Sequence, residues 1–456
     1  MEPRLPRRAL LLLALGLLLR VVALPAWGTL DVEIQKAWAG RAATGGLADM
    51  YGPPDSDLLQ RAREQGRGPL SVLLQPQPRA WFDWRGHAYF VDYPPASLLV
   101  LWAAGRLYLQ LAPELDRELL FNAAVNLAPL LGSVLITALL WRSSPTHGRM
   151  RALCFWLNPA LLLAAPLLGY QDTVFGSLAL LAVLCLQQGR LAPAAAVVVA
   201  AGLLKPQGAL LLPALAVVLL REGRWRDWLR AALLGTLVAG VVLAPWWSSG
   251  YLLSALDGAR RPLHQLTLAP LGLNIWWIAG WLMRWDRQGP FPLAEIVQIP
   301  RFAAWSGFDP RLPARLLLLA ATLAVAAWLW RRLPRGRWAL PLAVILQVHA
   351  YALLGTSVHE NHTFLAVILA PLLLGEAWPQ ARRFHLLTSA FLFTNLFLMV
   401  GGLGRGLMRA RVLLDLRQLT VVDLSVIVAL LHVALVAWLF ARAWRAPAAA
   451  GEGASP

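Results

Sequence analysis

The side chains able to do chemistry lie in five short, widely separated segments. Asp31 and Glu33 stand two apart in LDVEIQKAW, and Asp92 and Tyr93 precede a double proline in FVDYPPASL. Gln171 and Asp172 interrupt two apolar runs in LLGYQDTVF, and Lys205 and Gln207 flank Pro206 in GLLKPQGAL. SVHENH carries His359, Glu360 and His362 within four positions. Carboxylates such as these can take a proton from a hydroxyl, and a lysine between apolar runs can bind an anion. Each segment also has a plainer reading. Asp31 and Asp172 are good helix caps, Asp92 precedes a helix start at Pro94-Pro95, Lys205 can snorkel, and SVHENH can be a polar lead-in to a helix. A zinc-protease reading of SVHENH fails, because HExxH needs a second histidine where Thr363 stands. Asn361-His362-Thr363 matches the glycosylation sequon by pattern only.

The elements that must position these segments are membrane helices. The chain has 456 residues, of which 58% are hydrophobic and 14% charged. Its mean hydropathy is +0.58. Apolar runs of transmembrane length recur from end to end, so the fold class expected is an all-α polytopic membrane protein, a single integral domain over residues 1–456. The longest candidate soluble stretch, Gly28 to Tyr93, is too short to bury a sizeable core unaided. The net charge of +17 is nearly all arginine, lysine occurring only at Lys36 and Lys205. The arginines cluster in short loops, which marks them as topology signals and not as a nucleic-acid surface. Cys154 and Cys185 lie in apolar runs, so no disulfide framework is expected.

Arg4, Arg7 and Arg8 precede an apolar run ending in VVALPAWG, and Ala9–Leu24 is long for a signal core, so it is read as an uncleaved first helix. With the basic N-terminus cytoplasmic, residues 28–117 form an outer loop. PPASLLVLWAAGRLYLQLA within it is expected to lie flat, because a crossing would put RSSPTHGRMR outside. Spans are then expected near 119–141, 152–168, 172–188, 191–204, 207–221, 228–247, 312–330, 338–355, 362–377, 384–402 and 421–441, about 12 with the first helix. The loops REGRWRDWLR, RRLPRGRW and EAWPQARRFH and the tail ARAWRAP fall inside. GYQD, LLKPQ and SVHENH fall outside, so the five chemical segments share one face. Lys205 stands there against the positive-inside rule, which favours an anion-binding role. LNIWWIAGWLM is expected to dip into the membrane without crossing.

The order of these motifs resembles the GT-C glycosyltransferases that use polyprenyl-phosphate sugars, with the dolichyl-phosphate-glucose glucosyltransferases of the asparagine-linked glycosylation pathway the nearest likeness. Asp31, Glu33, Gln35 and Trp38 match the D-x-E-x-Q-x-x-W pattern of that group. Asp92, Tyr93, Pro94 and Pro95 match most of its L-D-Y-P-P, with Val91 in first place, and Val358, His359 and Glu360 match its V-H-E. Lys205-Pro206-Gln207 resembles its K-Q. The H-F-Q-Y-N element is replaced by GYQDTVFG, which is more similar to the G-Q-x-D element of bacterial and glycosylphosphatidylinositol-pathway mannosyltransferases. The resemblance runs from the first helix to about residue 370.

It implies a GT-C-like core in residues 1–250, with 251–456 supplying an outer loop and helices that complete the site. It also implies transfer of glucose or mannose from a polyprenyl-phosphate donor to a hydroxyl of a lipid-linked or glycolipid acceptor, with inversion. Asp31 takes the family position of the general base. Lys205, Gln207, His359, Glu360 and His362 are the implied donor-binding residues, and Glu33, Asp92, Tyr93, Gln171 and Asp172 the implied substrate contacts. Asp31, Glu33 and Asp172 offer oxygen ligands for a divalent cation. No metal or other cofactor is expected, because Lys205 already supplies positive charge. Partners are membrane lipid and the two lipid-borne substrates. Scarce lysine with abundant Ala, Leu and Arg suits a GC-rich bacterial genome, hence the bacterial cytoplasmic membrane with the site on its outer face. The rival reading is a secondary transporter or flippase, against which stand the absence of an internal repeat and the gathering of charge at one face.

Overall fold

A computed structural model describes residues 7–445 apart from 69, 75–76, 78, 115, 377, 401–416 and 418–419. Arg4 and the end of the ARAWRAP tail therefore lie outside the described residues. Among those described the chain is almost wholly helical. The sheet present is one antiparallel hairpin, Phe82–Trp84 with His87–Tyr89. Arg85 and Gly86 turn it with φ of 54° and 79°, the two positive values that a tight hairpin of native twist needs.

Among the described residues, five helices are long and apolar enough to cross a membrane: Glu118–Arg142, Trp225–Ser249, Arg311–Arg335, Ala381–Val400 and Leu424–Trp444. A sixth crossing is available if the bent pair Gly148–Trp156 and Pro159–Leu167, 48° apart, acts as one. Pro159, which has no N–H, starts the second limb behind the cap Asn158, whose side chain accepts from the Ala160 N–H at 3.0 Å. Leucine stripes four residues apart, such as Leu229, Leu233, Leu237 with Val241, stay exposed on the second of the five helices. Large uncovered apolar surface of this kind belongs in lipid. The protein is thus an all-α integral membrane protein.

The expected count of about 12 spans is corrected to five or six among the described residues. Several apolar runs form helices too short to cross: Asp172–Gln187, Leu191–Leu204, Ala339–Leu354 and Phe364–Leu373. At 1.5 Å per residue a 16-residue helix reaches about 24 Å, short of a hydrocarbon core of about 30 Å. The expected span 207–221 breaks into a 3₁₀ turn, Pro206–Leu211, and the helix Leu212–Glu222. Nearly every residue of Ala339–Leu354 and all of Phe364–Leu373 are buried by other helices. Their greasiness reflects a central position in the bundle, where a helix is apolar all round. One hydrophobic cluster joins both halves of the chain, from Ile136 and Phe155 to Ile345 and Ile368.

Two close approaches set the frame of the site. The helix Leu30–Gly45 lies against Pro95–Leu111 so tightly that a Cβ on Gly105 would stand 2.2 Å from the Ala39 carbonyl oxygen. A Cβ on Gly132 would meet the Thr173 carbonyl at 2.7 Å, where Glu118–Arg142 crosses Asp172–Gln187. Gly105→Ala should therefore force the first pair apart and lower the melting temperature in detergent, a cost of about 1–3 kcal/mol for overpacking. Gly202→Ala, which meets nothing within 4 Å, should melt no lower than the parent. Equal behaviour of the two variants would show that the helix contact is not tight.

Candidate active site

Thr29, not Asp31, caps the helix that carries the first motif. Its Oγ1 accepts from the Asp31 N–H at 3.2 Å. The Asp31 carboxylate is left without capping work, and it makes no hydrogen bond among the described residues. The helix start is stitched to the GYQD loop. The Thr29 N–H donates to the Leu168 carbonyl at 3.0 Å, and the Gln171 amide donates to Gln35 Oε1 at 3.0 Å and the Val125 carbonyl at 3.3 Å. Gly169, at φ 75°, lets that loop close on Val32, whose Cγ2 would be 2.2 Å from a Cβ there.

Lys205 ends the helix Leu191–Leu204 in extended backbone and is 8% exposed. Its ammonium is ion-paired with Asp172 Oδ1. The second Asp172 oxygen, Oδ2, accepts from Asn361 at 2.7 Å. One buried carboxylate thus joins GYQD, LLKPQ and SVHENH. The next residue of SVHENH is held as firmly: the Glu360 carboxylate accepts from the Tyr170 hydroxyl, and its carbonyl accepts from Asn395 at 3.0 Å. Glu360 Oε2 is buried with no hydrogen-bond partner among the described residues, His359 Nδ1 standing 3.9 Å away.

The two histidines differ. His362 Nδ1 accepts from the His359 N–H at 3.3 Å and lies 3.2 Å from the Tyr351 hydroxyl, while the Gln207 amide meets Nε2 at 2.8 Å. It is a fixed, fully engaged ring. His359 remains partly accessible and contacts Gln265 Oε1 through Nε2 at 3.2 Å. Gln265 opens a strap, residues 265–274, that runs over SVHENH. The Ser357 N–H donates to the Leu268 carbonyl at 3.1 Å, the Ser357 hydroxyl to the Thr267 carbonyl at 2.8 Å, and the Gly272 N–H to the Val358 carbonyl at 3.1 Å. Ser357 takes φ 60° to make these bonds, a left-handed conformation that a serine adopts at some cost.

Electrostatics bind the cluster together. Burial first, and then the Glu360 carboxylate, raise Asp31 from the ordinary 3.8 to about 6, while His359 and Lys205 pull the other way. Glu360 is also raised, chiefly by burial. Burial lowers His359 and His362, so both rings favour the neutral form. Burial first, and then Asp31 and Asp172, push the Tyr93 phenol up, and its ring lies tilted against Trp38 with centroids 5.4 Å apart. Tyr93, Ser97, Leu101, Phe175 and Leu204 wall a narrow slot that reaches Lys205, with about 20 Å3 of free space, room for a single water.

Asp31, Tyr93, Gln171, Asp172, Lys205, Gln207, His359, Glu360 and His362 therefore converge, as expected from the sequence. Two expected members do not. Glu33 is turned to Lys36 at 3.0 Å, and that lysine also holds Glu118 at 2.8 Å, where Arg85 arrives at 2.5 Å. Residues two apart on a helix face different ways, which explains the divergence from Asp31. Asp92 stands beyond Tyr93 beside Arg79 and Arg261, its carboxyl raised by burial and lowered again by those arginines. The three carboxylates weighed for a divalent cation do not converge, since Glu33 serves Lys36 and Asp172 serves Lys205. Lys205 is also not a free cation. Tyr170, Tyr351, Gln265 and Asn395 carry no signal in the sequence, and Asn361 carries only the sequon pattern, which does not point to the Asp172 contact. Tyr170 and Asn361 sit inside the quoted motifs, and only their lack of charge hid them.

An acid whose pKa is raised on folding holds its proton more tightly folded than unfolded, so its ionisation removes stability as pH rises between the two values. For Asp31 that window runs from 3.8 to about 6. Asp31→Asn should thus melt above the parent at neutral pH, and the advantage should vanish below about pH 4. A variant that melts lower at neutral pH would mean that the carboxylate is structural.

No family model and no curated protein matches the sequence.

Proposed function

We propose that the protein is an inverting hexosyltransferase of GT-C-like architecture. It moves glucose or mannose from a polyprenyl-phosphate carrier to a hydroxyl of a lipid-linked or glycolipid acceptor. The observation that carries this reading is Asp31: a carboxylate with no hydrogen bond among the described residues and a pKa of about 6, close enough to feel the charges of Glu360, His359 and Lys205. A base poised near the working pH, fixed cationic or N–H donors and unspent carboxylate oxygen are what a displacement at a sugar carbon requires.

In this reading Asp31 takes the proton of the acceptor hydroxyl as its oxygen forms the new bond to the anomeric carbon. The bond from that carbon to the phosphate oxygen breaks, and the electron pair leaves with polyprenyl phosphate. Lys205 spends one N–H on Asp172 and keeps its others for the phosphate. His359, whose pKa burial lowers, acts beside it as a neutral N–H donor. Glu360 Oε2, buried and unpartnered, receives a sugar hydroxyl. The apolar slot beside Lys205 takes the first isoprene units by parting the helix Pro95–Leu111 from Leu191–Leu204. The outer face of a bacterial cytoplasmic membrane is the proposed location, from the arginine-rich loops at the ends away from these motifs.

Purified protein should consume one member of a panel of polyprenyl-phosphate hexoses in the presence of mixed membrane lipids. Asp31→Asn should lower the transfer rate by about 10²–10⁴-fold with donor binding retained, and His359→Ala should raise the donor KM more than it lowers kcat. Full activity in Asp31→Asn would refute the assignment. Solute flux in vesicles without lipid-linked sugar consumption would favour a transporter, which a buried ion pair at a helix break also suits.

A further inference from the structure

At the end of the Glu118–Arg142 helix remote from this site lies a second cavity, of about 430 Å3. Along that helix Arg142 is about 25 Å from Val125, which touches Gln171. Leu139, Leu181 and Leu184 supply apolar lining, and Arg142, Arg151 and Arg190 positive charge against the one carboxylate among the described lining residues, Glu376, which Arg151 pairs. Arg151 is 3% exposed and spoken for: it donates to the Leu374 carbonyl at 3.0 Å, to the Ser143 hydroxyl at 3.2 Å and to Glu376 at 2.6 Å. The side chains of Arg142 and Arg190 make no hydrogen bond or ion pair among the described residues, and both are exposed.

We propose that this cavity binds the phosphate headgroup of an anionic phospholipid. Arg142 is the last residue of a membrane-length apolar helix, so the cavity lies at headgroup depth. Guanidinium groups match phosphate oxygens in pairs, and Arg151 is already fixed by three bonds, leaving its neighbours to close on the ligand. Leucines beneath the arginines fit an acyl chain leaving the headgroup, which free phosphate would not need. The carbonyl ends of helices Glu118–Arg142 and Asp172–Gln187 also attract cations and help to hold Arg142 and Arg190 at this level. They do not account for an open, leucine-lined cavity between the two. Basic pockets between membrane helices are suited to anionic lipid. The proposal depends on the membrane fold and not on the transferase reading.

The test uses the full chain in neutral detergent, with native mass spectrometry counting bound dioleoyl phosphatidylglycerol or dioleoyl phosphatidylcholine. Phosphatidylglycerol should bind at least about 10-fold tighter than phosphatidylcholine. Arg142→Gln with Arg190→Gln should abolish that preference while leaving phosphatidylcholine binding and the melting temperature unchanged, since neither side chain makes an internal bond. Arg331→Gln, an exposed arginine away from the cavity, should change nothing. No preference in the parent, or an equal loss in the Arg331 control, would overturn the proposal. So would displacement of phosphatidylglycerol by millimolar inorganic phosphate, which would make the site one for the free anion.

Discussion

The buried ion pair between Lys205 and Asp172 is the constraint on which the site depends. Two charges taken out of water are costly, and they are tolerated only when their geometry and remaining hydrogen bonds are nearly complete. Here the lysine closes one helix, the aspartate opens another, and Asn361 brings the SVHENH loop to the free aspartate oxygen. A departure of any one segment leaves a charge or an amide stranded in an apolar bundle. The pair therefore explains why segments from positions 31, 172, 205 and 360 meet, with the Asp31 helix drawn in through the Gln171–Gln35 bond.

Much of this was legible in the sequence, and the misses have physical causes. Ionisable residues between apolar runs are conspicuous because they are costly, and the structure brings Asp172, Lys205 and the SVHENH loop together. Glu33 parts from Asp31 because a motif gives spacing and not direction, and Lys36 on the same helix pairs with it. The span count failed for a different reason. Hydropathy measures transfer from water and does not distinguish lipid from protein as the destination, so Ala339–Leu354 and Phe364–Leu373 read as crossings when they fill the centre. The neutral partners Tyr170 and Gln265 carry no sequence signal of their own, and Asn361 carries only a sequon pattern unrelated to its bond with Asp172, since these roles exist only once the fold places them.

Site and surroundings also differ in stiffness. SVHENH is held by Asn395, Tyr170 and the 265–274 strap, and its backbone is strained at Ser357 to accept those bonds. Asp31 and the accessible side of His359 carry none of this load. Groups that hold the frame and groups free to meet a ligand are thus separate, which is the arrangement expected where chemistry requires fixed geometry without locking the reacting atoms.

Whether the Lys205–Asp172 pair is truly the tie can be read from a double-mutant cycle on melting temperature in neutral detergent. Asp172→Leu and Lys205→Met each leave an uncompensated buried charge, with an expected loss of about 3–5 kcal/mol each. The double variant removes both charges and should melt clearly above either single variant. Single losses that simply add in the double variant, or single variants that melt like the parent, would contradict a buried pair as the interaction that assembles the site.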